Sequence, residues 1–292
     1  MDAILEPMQY AFFLKGLIVA ALSGALLGFL GVYIVLRGMS YIGHGLSHSI
    51  FGGFAAVQLF AAQFYALGAG LWGIASALAI NAVTRRSRLG ADAAIGVITT
   101  ASFALGVALF ARFGTSGPSF ENALFGSILG ITTQQIVGLI VVSVAAGLFV
   151  FLRYRALLFC TFDPDVAEVS GIRVGRLEAQ LMVVLALAIL ATLTIIGVTL
   201  VAAMLVIPAV IARMLTDSFG KMLAWSTAVG TVSGLVGMYA SYYAEVPSGT
   251  MIVLVGAAIF GIVFAFGGRA RRGRNRSEPT AVPMVGVAGP TR

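Results

Sequence analysis

The chain has 292 residues, of which 60% are hydrophobic and only 10% charged, with a mean hydropathy of +1.03. Soluble domains carry roughly 25% charged residues, so this composition excludes an ordinary water-soluble fold and leaves no room for a separate catalytic domain. The net charge of +7 reads as basic flanks of membrane spans, not as a nucleic-acid surface, and a single cysteine, Cys160, excludes an internal disulfide.

A membrane-crossing helix needs about 20 apolar residues. Runs of that kind follow one another at 11–36, 40–62, 64–84, 92–112, 131–152, 178–196, 199–215, 221–243 and 249–267. The predicted fold class is therefore all-α, a polytopic membrane protein of about nine helices, eight to ten being the range that run length allows. The seventh run is short and meets the sixth at Gly197, which leaves eight spans as the alternative. Ahead of the first run, residues 1–10 carry Asp2 and Glu6, and no basic residue precedes Lys15. That stretch lacks the charged start of a cleaved leader, so it is expected to be a short extracytoplasmic N-terminus.

The second run holds both histidines of the sequence, within Tyr-Ile-Gly-His-Gly-Leu-Ser-His-Ser-Ile-Phe-Gly-Gly at 41–53. His44 and His48 are four residues apart, so on a helix they share a face and can point at one ion. Ser47 lies beside them, and Gly43, Gly45, Gly52 and Gly53 allow another helix to approach closely. Their alternative role is to hydrogen-bond neighbouring helices, although an ionisable residue inside a span marks a functional site by default. Asp92 opens the fourth run, either as a helix cap or as a pathway residue.

Residues 113–131 contain Gly114, Gly117 and Pro118 and then an apolar stretch at 124–130. This is too short to span and too apolar for an open loop, and predicts a re-entrant or interfacial segment. Glu121 in this segment and Glu245 after the eighth run are acids expected on the outer side, placed to attract a cation or to meet a partner protein. Pro208 is expected to kink the seventh run, and Tyr239, Tyr242 and Tyr243 read as an aromatic belt.

The connection at 153–178 contains Phe162-Asp163-Pro164-Asp165-Val166-Ala167-Glu168-Val169-Ser170-Gly171, which reads as a short helix. Asp163 suits the N-cap, Pro164 the first turn and Gly171 the C-terminal stop. Arg37, Arg85, Arg86, Arg88, Arg153, Arg155, Arg173, Arg176, Arg213, Lys221 and the arginines from 269 onward all fall on one side of a nine-span chain; Lys15 and Arg112 fall on the other. The positive-inside rule then puts the N-terminus outside and the C-terminus in the cytoplasm. The membrane-spanning domain is expected at 11–267, followed at 268–292 by a disordered basic tail whose arginines anchor topology or touch anionic membrane lipid.

Five blocks, in order, carry a resemblance: residues 43–53, Asp92-Ala93-Ala94-Ile95-Gly96, the loop from Phe162 through Gly171, the stretch from Gly197-Val198 to Val206-Ile207-Pro208-Ala209, and Ser241-Tyr242-Tyr243 followed by Pro247-Ser248-Gly249. From about residue 12 to 267 the chain resembles the permease subunits of bacterial zinc and manganese ATP-binding-cassette importers. The resemblance implies a multi-pass protein of the bacterial cell membrane that acts as a homodimer. It implies a cytoplasmic ATP-binding subunit dimer docked on a coupling helix, with Asp163, Ala167, Glu168 and Gly171 as candidates, and an extracytoplasmic protein that delivers the metal. No Gly-x-x-x-x-Gly-Lys-Ser/Thr occurs, so the chain is read as a transporter subunit and not an enzyme, with no permanent cofactor and no nucleic-acid partner.

Where the family usually has Gly-Asp-Ala-x-Ser-His-Ala, this chain has Gly43-His44-Gly45-Leu46-Ser47-His48-Ser49. Imidazole suits Zn²⁺ and carboxylate suits Mn²⁺, so the replacement of Asp by His44 favours zinc as the transported ion. Manganese or iron import is the alternative. An intramembrane zinc enzyme would need a third ligand and a nearby acid or base, and an ion-coupled carrier would often show inverted repeats and acids within its spans.

Overall fold

The structure, a computed structural model, describes residues 6–57, 65–86, 90–113 and 130–274. A 3-10 turn at Pro7–Gln9 leads into α1 (Ala11–Leu36), followed by α2 (Ile42–Val57), α3 (Tyr65–Arg86), α4 (Ala91–Phe113), α5 (Thr133–Phe162), the short α6 (Pro164–Val169), α7 (Val174–Ile196), α8 (Val198–Leu215), α9 (Phe219–Ala244) and α10 (Ser248–Arg274). The protein is all-α and polytopic. Among the described residues six helices, α1, α3, α4, α5, α7 and α10, contain stretches long and apolar enough to cross a membrane. The shorter α2 and α8, with α9, complete the bundle.

Lipid gives helices no hydrophobic reason to associate, so close backbone approach and dispersion must hold them together. The crossing of α1 and α9 is built that way. A Cβ at Gly24 would collide with the Gly230 carbonyl, and one at Gly230 would collide with that of Gly24. One turn further along, Ser226 Oγ donates to the Gly28 carbonyl at 2.5 Å. The same crossing packs Phe13 edge-on against Tyr239 and Tyr242 at centroid distances of 5.0 and 5.4 Å. Those tyrosines therefore tie α1 to the end of α9.

α8 lies against α1, α2, α9 and α10, with Val198, Val201, Leu205, Ala209 and Ala212 fully buried. Gly197, at φ +83°, separates it from α7 by one residue. A left-handed backbone there stops one helix and starts the next, so nine long helices stand among the described residues, not eight. Pro208 is buried within α8, and the helix continues past it to Leu215. It removes one backbone donor without ending the helix.

Two expectations change in extent. α5 runs to Phe162 and α7 starts at Val174, so the connection expected at 153–178 shrinks to 163–173. Arg153 and Arg155 lower the hydropathy there, but arginine is a good helix former, and Leu157 and Cys160 remain buried on the helix. α10 extends to Arg274, past the expected domain edge at 267. The second run is helical from Ile42 to Val57, and its expected end at 62 lies outside the described residues, as do the re-entrant segment at 114–129 with Glu121 and the tail from 275.

Candidate functional site

α2 carries the histidines through the middle of a tight crossing with α4. A Cβ at Gly106 would strike the Gly52 carbonyl, and one at Gly52 would come within 2.8 Å of the Ser102 carbonyl. The absence of side chains at these two positions lets the backbones meet. The same approach puts Phe103 of α4 edge-on to His48, with ring centroids 5.3 Å apart. His44 and His48 are both half-buried and edge-to-face at 4.5 Å, and Tyr41 closes the row at 5.4 Å from His44.

The two imidazoles thus share one face, as their spacing predicts. No cluster of three or more His, Cys, Asp or Glu side chains forms among the described residues. A closed structural zinc site has four protein ligands; the described residues bring two imidazoles together on this face. The Ser47 hydroxyl is fully buried and donates to the Gly43 carbonyl, one turn back, at 2.6 Å.

Asp92 is exposed and occupies the second position of α4, not its cap. The Gly90 carbonyl accepts from the amides of Ala93 and Ala94, so glycine begins the helix and the Asp92 charge complements the first-turn dipole. Glu245 is exposed and caps α9 in the left-handed region at φ 54°, ψ 33°. Neither acid belongs to a metal-binding cluster among the described residues.

Sequence reading missed a group of hydroxyls beside His48. Ser49 Oγ donates to Ser76 Oγ at 2.6 Å and lies 2.7 Å from Ser102 Oγ, which accepts from Trp72 Nε1 at 2.5 Å. α2, α3 and α4 are joined by this network. Single serines in apolar helices gave no sign of it, because serine also bonds readily to its own helix.

At the end of the bundle that carries Arg37 and Arg85, α6 forms as its sequence predicts. Asp163 accepts from the Val166 amide at 3.0 Å and Pro164 is the first helical residue. Gly171 at φ +83° closes the helix, its amide donating to the Glu168 carbonyl and that of Ile172 to the Ala167 carbonyl, both at 3.0 Å. This double closure is a Schellman motif. Ala167 is fully buried, and Val169 is 92% exposed.

Arg37, read from sequence as a topology charge, is buried. Its guanidinium lies 3.5 Å from the Glu178 carboxylate, and its Nε donates to Thr161 Oγ1 at 3.3 Å. Burial lowers the Arg37 pKa, and Glu178 raises it in opposition.

These features define a helical membrane protein with an imidazole pair in its interior and a separate capped helix at one end. The chain belongs to the ABC 3 transport family, whose model matches residues 9–267. It is 38% identical over 259 residues to a manganese transport system membrane protein of Listeria monocytogenes, covering 89% of this chain and 92% of that one. It is 35% identical to a Haemophilus influenzae protein described as a probable iron transport system membrane protein, covering 91% and 97%. Among solved structures, PsaBC from Streptococcus pneumoniae in complex with Fab matches with a TM-score of 0.82 at 28% identity, covering 94% of this chain and 99% of that one.

The protein is therefore the membrane subunit of a divalent-metal ATP-binding-cassette importer and a multi-pass bacterial membrane protein, not a catalyst. The readings as an intramembrane zinc enzyme and as an ion-coupled carrier fall with that finding. Family membership implies an ATPase partner and a binding-protein partner.

Proposed function

We propose that this permease imports manganese, that two copies form the pathway, and that His44 and His48 of each contribute to the transient metal site. The observation that carries the reading is the half-buried imidazole pair on α2, which shares one face and is joined by no third His, Cys, Asp or Glu among the described residues. A conducting site must release its ion as well as bind it, and an open two-ligand half-site suits that need. Manganese is supported by the similarity to manganese transport system membrane proteins of other bacteria. Mn²⁺ prefers oxygen ligands and six-fold coordination, so bound water would complete its shell between the imidazoles.

Zinc is the second reading, favoured by His44 standing where the family usually has a carboxylate. Four imidazoles from two chains would make a tetrahedral nitrogen site for Zn²⁺.

In this proposal the end bearing Arg37, Arg85 and α6 faces the cytoplasm, as the positive-inside rule predicts. The ATP-binding subunits dock on α6 through Val166 and Val169, both exposed, with Asp163 and Gly171 fixing the helix and Glu168 on its surface. A metal-binding protein delivers cargo at the opposite end, where Glu245 lies. The selectivity test is uptake into proteoliposomes containing the permease, its ATPase and its binding protein, with manganese and zinc supplied at equal concentration. Preferential manganese uptake supports the first reading, and preferential zinc uptake replaces it with the second.

A further inference from the structure

Four charged side chains from four different segments form an unbroken series at the α6 end. Glu168 on α6 lies 3.8 Å from Arg85 on α3, Arg85 lies 3.3 Å from Glu178 on α7, and Glu178 lies 3.5 Å from Arg37 at the end of α1. Exposure falls along the series, from 65% at Glu168 through 38% and 23% to 7% at Arg37. Exposed ion pairs contribute little to stability, so the outer pair is easily broken. A buried guanidinium depends strongly on its carboxylate, so the inner pair is not.

The inner end of the series is tied to the histidine helix. Arg37 caps α1, and the turn beyond it is closed by Gly38 N–H to the Val35 carbonyl and Met39 N–H to the Ile34 carbonyl. Gly38 takes φ +67° there, and the Ile42 amide then donates to the Met39 carbonyl at 3.0 Å as α2 begins. A displacement of Arg37 is therefore transmitted through a short, hydrogen-bonded turn to α2. Glu178 divides its two oxygens between Arg37 and Arg85. Neither Nη atom of Arg37 forms a hydrogen bond among the described residues, so the hold on that end of the guanidinium is electrostatic and responds to what Arg85 does.

We propose that Glu178 is a positioning residue that couples α6 to the metal pathway: movement of α6 alters the Glu168–Arg85 pair, the share of the Glu178 carboxylate left for Arg37 changes, and α2 moves with Arg37. This relay rests on the reading of α6 as the ATPase docking helix. It assigns Glu178, Arg85 and Arg37 a role in converting nucleotide hydrolysis into ion movement, beyond fixing topology.

The test measures manganese transported per ATP hydrolysed in proteoliposomes holding the complete importer, with zinc run in parallel. Because this is a ratio, loss of folded protein alone does not change it. Glu178→Gln is expected to keep the ATPase bound while lowering the ratio about fivefold, the lower end of ordinary coupling between sites; Glu178→Asp is expected to recover most of it. Glu168→Gln, at an exposed position, is expected to lower the ratio in the same direction and decides the matter if Glu178→Gln does not assemble. Val169→Asp tests docking alone. ATPase that stays bound to Val169→Asp overturns the docking reading and the relay with it. ATPase lost from Val169→Asp, together with an unchanged ratio in Glu178→Gln or, where that variant does not assemble, in Glu168→Gln, overturns the relay alone.

Discussion

His44 and His48 stand edge-to-face, ring centroids 4.5 Å apart, on one face of α2. Substituting His44→Asp restores the carboxylate that the family usually has there, and oxygen donors favour Mn²⁺ over Zn²⁺. The manganese-to-zinc uptake ratio is expected to rise about tenfold, a difference of ~1.4 kcal/mol between the two ions. Competition uptake with both metals checks it.

The crossing of α2 and α4 has no space for side chains at Gly52 and Gly106. Gly106→Val is expected to cost about 1–3 kcal/mol by overpacking and to displace Phe103 from His48. Gly147→Ala in α5 is the control, since nothing lies within 4 Å of the position its Cβ would take. There, alanine is expected to stabilise the helix by about 0.5–1 kcal/mol. Thermal unfolding in detergent distinguishes the two.

Ser102 Oγ accepts the Trp72 indole N–H and contacts Ser49. Ser102→Ala leaves a donor of Trp72 without this acceptor, at an expected cost of about 1–3 kcal/mol. Indole fluorescence should shift along with the melting temperature, because the substitution changes the surroundings of Trp72 directly.

Asp163→Ala removes the cap of α6, worth about 0.5–2 kcal/mol locally. Since α6 has only six residues, the expected result is weaker retention of the ATPase with little change in the melting temperature of the permease alone. Co-purification at increasing salt measures this.

Much of the architecture was legible because long apolar runs have one stable form in lipid, the helix. α1 matches its expected bounds, and the Asp163, Pro164 and Gly171 signals gave α6 its start and stop. The ends of α5 and α7 were less legible. Hydropathy falls at Arg153 and Arg155, whereas helix propensity does not, so an apolar-run criterion stops too early. The shared face of His44 and His48 followed from helical period alone. The rest depended on contacts between distant segments: Ser49 with Ser102, and Arg37 with Glu178, 53 and 141 positions apart in a chain where sequence shows only neighbours. Ser47 illustrates the reverse case, a residue beside the histidines whose hydroxyl turns back to its own helix.

The place of the α2 histidines in the metal pathway is measured by ATP-dependent manganese and zinc uptake by the reconstituted importer, comparing the unmodified permease with His44→Ala and His48→Ala. Loss of a metal ligand should matter at least as much as loss of a ligand's supporting hydrogen bond, so each substitution is expected to reduce uptake at least about tenfold with the ATPase still bound. Uptake that proceeds unchanged in both variants would contradict the assignment of the α2 histidines to the metal pathway.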